Sequence, residues 1–287
     1  MSTTLGVLGG SGLYELEGLV GVEEIEIDTP YGRPSDVLVR GKLPNGVTLV
    51  FLPRHGRGHR VPPPQINYRA NVCALKKAGA THLVSVSAVG SMKEEIEPGH
   101  LVVPDQFIDL TKKRVSTFFE DGVAGHVPFA DPVCALMASA LGDAAERTGA
   151  RVHRGGTYVC MEGPQFSTRA ESRLYRTWGV SVIGMTSMPE AKLAREAELP
   201  FATLALATDY DCWHDAHDDV TVEAVVATMK KNVSLAKKAL VELASALPEP
   251  TKSVAHRAAH GAVMTAPTAM TDEVRARLAW LLGDAAR

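Results

Sequence analysis

Apolar and polar positions along the chain follow two rhythms. Short runs of leucine and β-branched residues read as strands at Leu5–Leu8, Val22–Ile27, Val37–Val39, Val47–Leu52, Leu83–Val86, Leu101–Val103, Thr157–Met161, Val180–Met185 and Phe201–Ala207. The runs at Leu83, Val180 and Phe201 are almost continuously apolar, the pattern of strands covered on both faces. Spacings of three and four predict helices over Asn67–Ala78, Pro132–Thr148, Arg169–Trp178, Pro189–Ala197 and Thr221–Leu247. Strands alternating with helices predict an α/β fold around one large central sheet flanked by helices. The strongest break is Pro248-Glu249-Pro250-Thr251. Residues 1–247 therefore read as one domain. Residues 248–287 read as an extension, ending in a helix over Thr271–Ala286, that packs on that domain or on a neighbouring subunit.

Composition narrows the picture. The 287 residues are 45% hydrophobic and carry a net charge of −3. That is core enough for one large domain or two small ones, and it gives no basis for a nucleic-acid or membrane-surface partner. With no leader pattern and no apolar stretch of membrane-spanning length, the expected location is the cytoplasm. Cys73, Cys134, Cys160 and Cys212 form no CxxC pair and have no metal-ligand spacing, so neither a metal site nor a disulfide framework is expected.

Candidate chemistry gathers where strands end. Gly9-Gly10-Ser11-Gly12 follows the first strand; it suits close approach of backbone amides to an anion, or is simply a tight turn. Pro53-Arg54-His55-Gly56 offers a guanidinium able to grip phosphate bidentately, a second donor in His55, and His59 four residues on, although such pairs also occur on plain surfaces. Ser85-Val86-Ser87-Ala88-Val89-Gly90-Ser91 turns from a buried strand into small residues, as in a crevice where a ligand meets main chain. In Met161-Glu162-Gly163-Pro164-Gln165-Phe166-Ser167 the ring of Phe166 either stacks on a base or fills the core. Thr186, at a strand–helix junction, is an anion ligand or, taken blind, a helix N-cap. Ala207-Thr208-Asp209-Tyr210-Asp211-Cys212-Trp213 ends an apolar strand on two carboxylates, which share a side if the backbone stays extended. Such a pair is costly to bury without a task or partners.

These motifs (GGSGL, PRHG, SVSAVGS, MEGPQFSTRAE, MTSMPEA and ATDYDCW) stand in the order found in the trimeric purine-nucleoside phosphorylases. From about residue 5 to 245 the chain most resembles the methylthioadenosine branch, as do DTPYGRPSD and DQFIDLT. The resemblance implies the phosphorylase fold and reversible phosphorolysis of S-methyl-5'-thioadenosine to adenine and 5-methylthioribose 1-phosphate. It implies phosphate on Ser11, Arg54, His55, Ser87, Thr186 and the amide of Ala88. The base would meet Phe166, Tyr210, Asp209 and Asp211, with Asp209 the catalytic acid and Met185 on the ribose. Ser167 and Val222 would tune substrate choice. The methylthio group would lie among Val222, Val225 and Val226, with His59 near the 5' end and His126 reaching in from a neighbouring subunit of a homotrimer. Phosphate is a co-substrate, and no metal or organic cofactor is implied. The 6-oxopurine branch carries Asn in place of Asp209, so a 6-oxopurine or methylthioinosine phosphorylase is the alternative reading, and a non-catalytic nucleoside-binding module a more remote one. Near the C-terminus, Gly261–Thr265 resembles a segment closing over a neighbouring pocket, with Met264 as its contact.

Overall fold

A computed structural model describes residues 3–10, 13, 16–214 and 222–283, with only the backbone given for 222–226. Eleven strands form one mixed sheet: β1 (Thr4–Gly9), β2 (Val20–Ile25), β3 (Leu38–Lys42), β4 (Thr48–Pro53), β5 (His82–Ser91), β6 (Leu101–Val103), β7 (Gln106–Asp109), β8 (Val152–Arg154), β9 (Thr157–Cys160), β10 (Val182–Gly184) and β11 (Phe201–Asp209). The spatial order is β2-β3-β4-β1-β5-β10-β9-β7, with β11, β6 and β8 continuing from the other edge of β5.

Among the described residues six α-helices cover the sheet: α1 (Tyr68–Lys77), α2 (Ala135–Arg147), α3 (Arg169–Thr177), α4 (Ser187–Glu196), α5 (Val222–Ala244) and α6 (Asp272–Leu282). Their starts are chemically marked. The Asn67 side chain accepts from the Ala70 amide, Thr168 and Glu171 form a reciprocal capping box, and Thr271 accepts from the Val274 amide.

Strand alternation divides the core between two faces. Leu8, Leu83, Phe201 and Ala205 pack with Val72, Leu75, Leu193 and Leu278 of α1, α4 and α6. Leu5, Val7, Val84 and Leu204 pack with Met137 and Leu141 of α2 and Leu240 and Leu243 of α5. The central strands thus bury both faces, which accounts for their unbroken apolar runs. The edge strand β2 is mostly exposed and carries Glu23 and Glu24, charges that discourage edge-to-edge pairing. In the extension, Val274 and Leu278 are buried in the same core as α1, and Trp280 meets Phe118 edge-on at 4.9 Å between centroids. Among the described residues, no helix is long and apolar enough to cross a membrane.

Candidate active site

The strand pairing builds a gap into the sheet. One edge of β5 pairs with β1 through His82–Ser85 and with β10 through Gly90–Ser91, while β11 runs along the other edge. Residues 86–89 thus have no strand beside them on the first edge. β1 and β4 run parallel to β5 and end at Gly9 and Pro53, whereas β10 runs antiparallel and ends at Gly184. Motifs scattered along the sequence therefore converge on one opening. Ala88 is exposed in a strand whose residues from His82 to Val89 are otherwise buried.

Two hydroxyls line this opening. Ser87 Oγ lies 3.0 Å from Thr186 Oγ1. Thr186 occupies the N-cap position of α4, yet its side chain makes no capping hydrogen bond, so the N-cap assignment gives way to a hydroxyl facing Ser87. Gly184 just before it admits no side chain: a Cβ there would stand 2.0 Å from the Tyr158 hydroxyl oxygen.

Arg54 is 2% exposed and sits beneath. Its fork is not free for bidentate phosphate binding, which corrects that expectation. Nε donates to Glu190 Oε1 (2.7 Å) and Nη2 to Glu190 Oε2 (3.1 Å), Leu8 O and Ser85 Oγ, while Nη1 donates to Val86 O (2.7 Å). One Nη1 hydrogen remains without an acceptor among the described residues. The reason is the carboxylate of Glu190, brought by α4 against the buried guanidinium and itself accepting from Ser85 Oγ at 2.7 Å.

His55 also differs from expectation. Its Nδ1 lies 2.9 Å from the Val61 carbonyl, which can only accept, so Nδ1 carries the proton. Burial, reinforced by the Arg54 guanidinium, holds the imidazole down to about 4. The ring is neutral and Nε2 is an acceptor, not the second donor the sequence suggested. His59, at φ 54°, stacks on it at 4.2 Å between centroids. Ser11 lies outside the described residues, as do the side chains of Val222, Val225 and Val226.

At the far end of β5 the two acids meet. They are not brought together by simple extension. The pairing of β11 slips between Ala207 and Asp209, and Asp211 turns at φ 24° into a short 3-10 segment. The Asp211 amide donates to Asp209 Oδ1 (3.0 Å), and Thr208 Oγ1 to Asp209 Oδ2 (2.7 Å). Ser172 of α3 donates to the Asp211 carboxylate. Both acids crowd Gly90, where a Cβ would fall 3.1 Å from Asp209 Oδ1 and 3.2 Å from Asp211 Cβ. Burial pushes the Asp209 carboxyl above the usual range; neighbouring Asp211 adds to this and the Thr208 hydrogen bond opposes it.

The expectation that the Tyr210 side chain meets the base is corrected. Its ring packs on Trp213 and His214 in an apolar cluster, and its hydroxyl donates to the Glu94 carbonyl (3.0 Å). Tyr210 lies just past the end of β11, at φ −100° and ψ 50°, where the chain leaves the strand for the 3-10 turn, and this turn carries its ring into the cluster with Trp213. Phe166 is 83% exposed, so it is not a core ring. Ser167 Oγ lies 3.6 Å from Met161 Sδ, and its carbonyl accepts from the Cys212 thiol. Met185 lies against Gly163, joining the ends of β9 and β10.

The sequence reading missed Arg114. Its side chain is 1% exposed and donates to the carbonyls of Met161, Glu162, Met185 and Met188, to the Tyr68 hydroxyl and to the Glu162 carboxylate. It ties the loop after β9 to the β10–α4 junction. In Thr111-Lys112-Lys113-Arg114 it reads as one more solvated cation, and no local pattern distinguishes it. His126 lies elsewhere, exposed on a surface ribbon: its amide donates to Ala262 O and the Met264 amide to Ala124 O.

Residues 4–245 match the family model described as the phosphorylase superfamily. A Geobacter sulfurreducens protein named S-methyl-5'-thioadenosine phosphorylase is 56% identical, with 99% of each chain covered. The crystal structure of a methylthioadenosine phosphorylase from an antarctic soil metagenomic library superposes with a TM-score of 0.93 at 48% identity, covering 98% of this chain and 99% of that one. The methylthioadenosine phosphorylase of Schistosoma mansoni in complex with adenine gives 0.83 at 36% identity, covering 91% and 99%. With the family model spanning most of the chain and relatives this similar over their full length, the chain belongs to the phosphorylase superfamily.

Proposed function

We propose that the chain catalyses the reversible phosphorolysis of S-methyl-5'-thioadenosine to adenine and 5-methylthioribose 1-phosphate, a pentosyl transfer serving purine and methionine salvage. The observation that carries this reading is the pairing, along the stretch of β5 that has no strand beside it on one edge, of a half-buried carboxyl held above its usual pKa (Asp209) and a hydroxyl pair suited to an anion (Ser87 and Thr186).

Cleavage of a purine N-glycosidic bond passes through an oxocarbenium-like sugar. The departing base gathers electrons at N7, and a protonated Asp209 donates there. The carbonyl oxygen of that same acid, with Asp211, accepts from a 6-amino group, which favours adenine over 6-oxopurines. Phosphate lies across the sugar on Ser87, Thr186, the Ala88 amide, Ser11 and the single free N–H of Arg54. His55 Nε2 accepts from a protonated phosphate oxygen. Phe166 covers the base and Met185 the ribose, while Ser167 and Val222 tune the fit. Val222, Val225 and Val226 form the methylthio slot with His59.

The assembly is a homotrimer in the cytoplasm, with His126 entering a neighbour's site and no cofactor beyond the co-substrate phosphate. Exposed Phe166, Leu174, Trp178 and Met264 supply apolar surface for subunit contact. The deciding assay is release of adenine from methylthioadenosine with and without phosphate. Phosphate-dependent release is expected. Equal release in phosphate-free buffer would point to hydrolysis, and a preference for methylthioinosine would overturn the base assignment.

A further inference from the structure

The buried pair beneath the hydroxyls has a consequence for how phosphate is used. Arg54 and Glu190 are 2% and 1% exposed at the side chain and joined through both carboxylate oxygens. Ser85 accepts from the guanidinium and donates to the carboxylate, closing the network. The pair carries no net charge, and water cannot reach it to screen either partner. His55, which follows Arg54 at the end of β4, is neutral. The anion site, built on Ser87, Thr186, a main-chain amide and one N–H of Arg54, thus presents directional donors without a net positive charge.

We infer that Glu190 is a positioning residue that cancels the charge of Arg54, so that bound phosphate keeps its negative charge for the sugar cation formed in the reaction. A site that neutralised the anion in the ground state would bind it more tightly and leave less charge to stabilise the oxocarbenium-like transition state. Cancelling Arg54 from below separates two tasks. The guanidinium still orients one phosphate oxygen, while the dianion's field stays directed at the anomeric carbon. Glu190 also fixes the rotamer of the fork, so the free Nη1 hydrogen has one direction. This inference rests on the phosphorolysis reading.

Wild-type phosphate dependence tests that reading on its own, and Glu190→Gln then tests the inference. The amide keeps the shape and removes the charge. Phosphate KM, and the inhibition constant of sulfate as an inert competitor, should both fall at least tenfold while kcat falls by a similar factor. Unchanged or weaker anion affinity would overturn the inference, because Glu190 would then be only a support. Tighter binding at full kcat would also overturn it, because the charge of phosphate would then be unused. Should the lone buried cation prevent folding, the paired replacement Arg54→Met with Glu190→Leu removes both charges at similar volume, a change that buried ion pairs often tolerate. If Arg54 contributes one hydrogen bond and no net charge, phosphate KM should rise about tenfold or less. A larger rise would mean that its charge does hold the anion.

Discussion

At the scale of single residues, the sequence displays side-chain type but not partnership. Asp209 and the hydroxyls of Ser87 and Thr186 stand out because polar groups end apolar strands. That the fork of Arg54 closes on Glu190, 136 positions away, is written in no local pattern. Nor can alternation decide which of Asp209 and Tyr210 faces the opening once β11 slips at Thr208. Asp209 itself carries a two-part expectation. Asp209→Asn should lower kcat/KM for methylthioadenosine about 10²–10⁴-fold, the usual worth of a general acid. It should also raise the melting temperature. The folded pKa of Asp209 lies above its unfolded value, so its favourable contribution is present at low pH and is lost as pH rises through the folded pKa. An amide escapes that loss. The variant should melt higher than wild type at pH 7–8, with the charge-related advantage vanishing below about pH 3.9, where the unfolded carboxyl is also protonated. Thermal melts across that range, beside kinetics, check both halves; a variant less stable at pH 8 than wild type would contradict the burial argument.

At the scale of elements, long and fully buried strands were readable and short edge strands were not. β7 and β8 span four and three residues, are largely half-buried or exposed, and lack the apolar run that marks β5 or β11. The helices from α1 to α6 follow their spacing and caps closely, α1 to the residue at its Asn67 cap. What the pattern could not give is how the ends of elements are fixed to each other. Arg114 does this for β9 and β10. Arg114→Met would strand four carbonyl acceptors, leave Glu162 without its cation and free both loops. We expect a loss of about 1–3 kcal/mol in chemical denaturation, as when buried acceptors lose their donor, and a higher KM for both substrates. Unchanged KM values would mean that the loops hold their shape unaided. Gly90 is the opposite case, a place kept empty. In Gly90→Ala the added methyl would stand 3.1 Å from both Asp209 Oδ1 and Ile183 Cγ2, between two paired strands that cannot readily part. Overpacking of this kind costs about 1–3 kcal/mol. Because it displaces the acids and not the hydroxyl pair, kcat/KM for the nucleoside should drop at least tenfold with phosphate KM within twofold. A selective rise in phosphate KM would place the disturbance at the wrong end of β5.

At the scale of the whole molecule, the extension and the site belong to one construction. Helix α6 buries Leu278 completely in the core that also holds Leu83 and Leu193. Leu278→Ala should therefore cost about 2–5 kcal/mol and lower a single thermal transition, not detach a separate one. Just before α6, Val263 bridges Gly125 in antiparallel fashion, which sets His126 beside the segment carrying Met264, 70% exposed. The two stretches that the family resemblance sends into a neighbour's pocket are thus a single ribbon, joined by backbone hydrogen bonds and resting on the core through Val127 and Val263 while His126 and Met264 face outward. An exposed apolar tip next to an imidazole is poor design for a lone subunit and good design for one that completes another's site. Subunit mixing distinguishes these cases. Asp209→Asn homomers should have kcat/KM lowered about 10²–10⁴-fold, and His126→Ala homomers should show a raised KM for methylthioadenosine. When the two are unfolded and refolded together in equal amounts, random assembly in a closed ring pairs an intact Asp209 with a neighbour's intact His126 in about a quarter of sites. Those sites should display the wild-type KM, giving a biphasic substrate curve that neither parent shows. A mixture that behaves as the plain average of its parents would mean that His126 serves its own chain, and each subunit would then have to close its methylthio pocket alone.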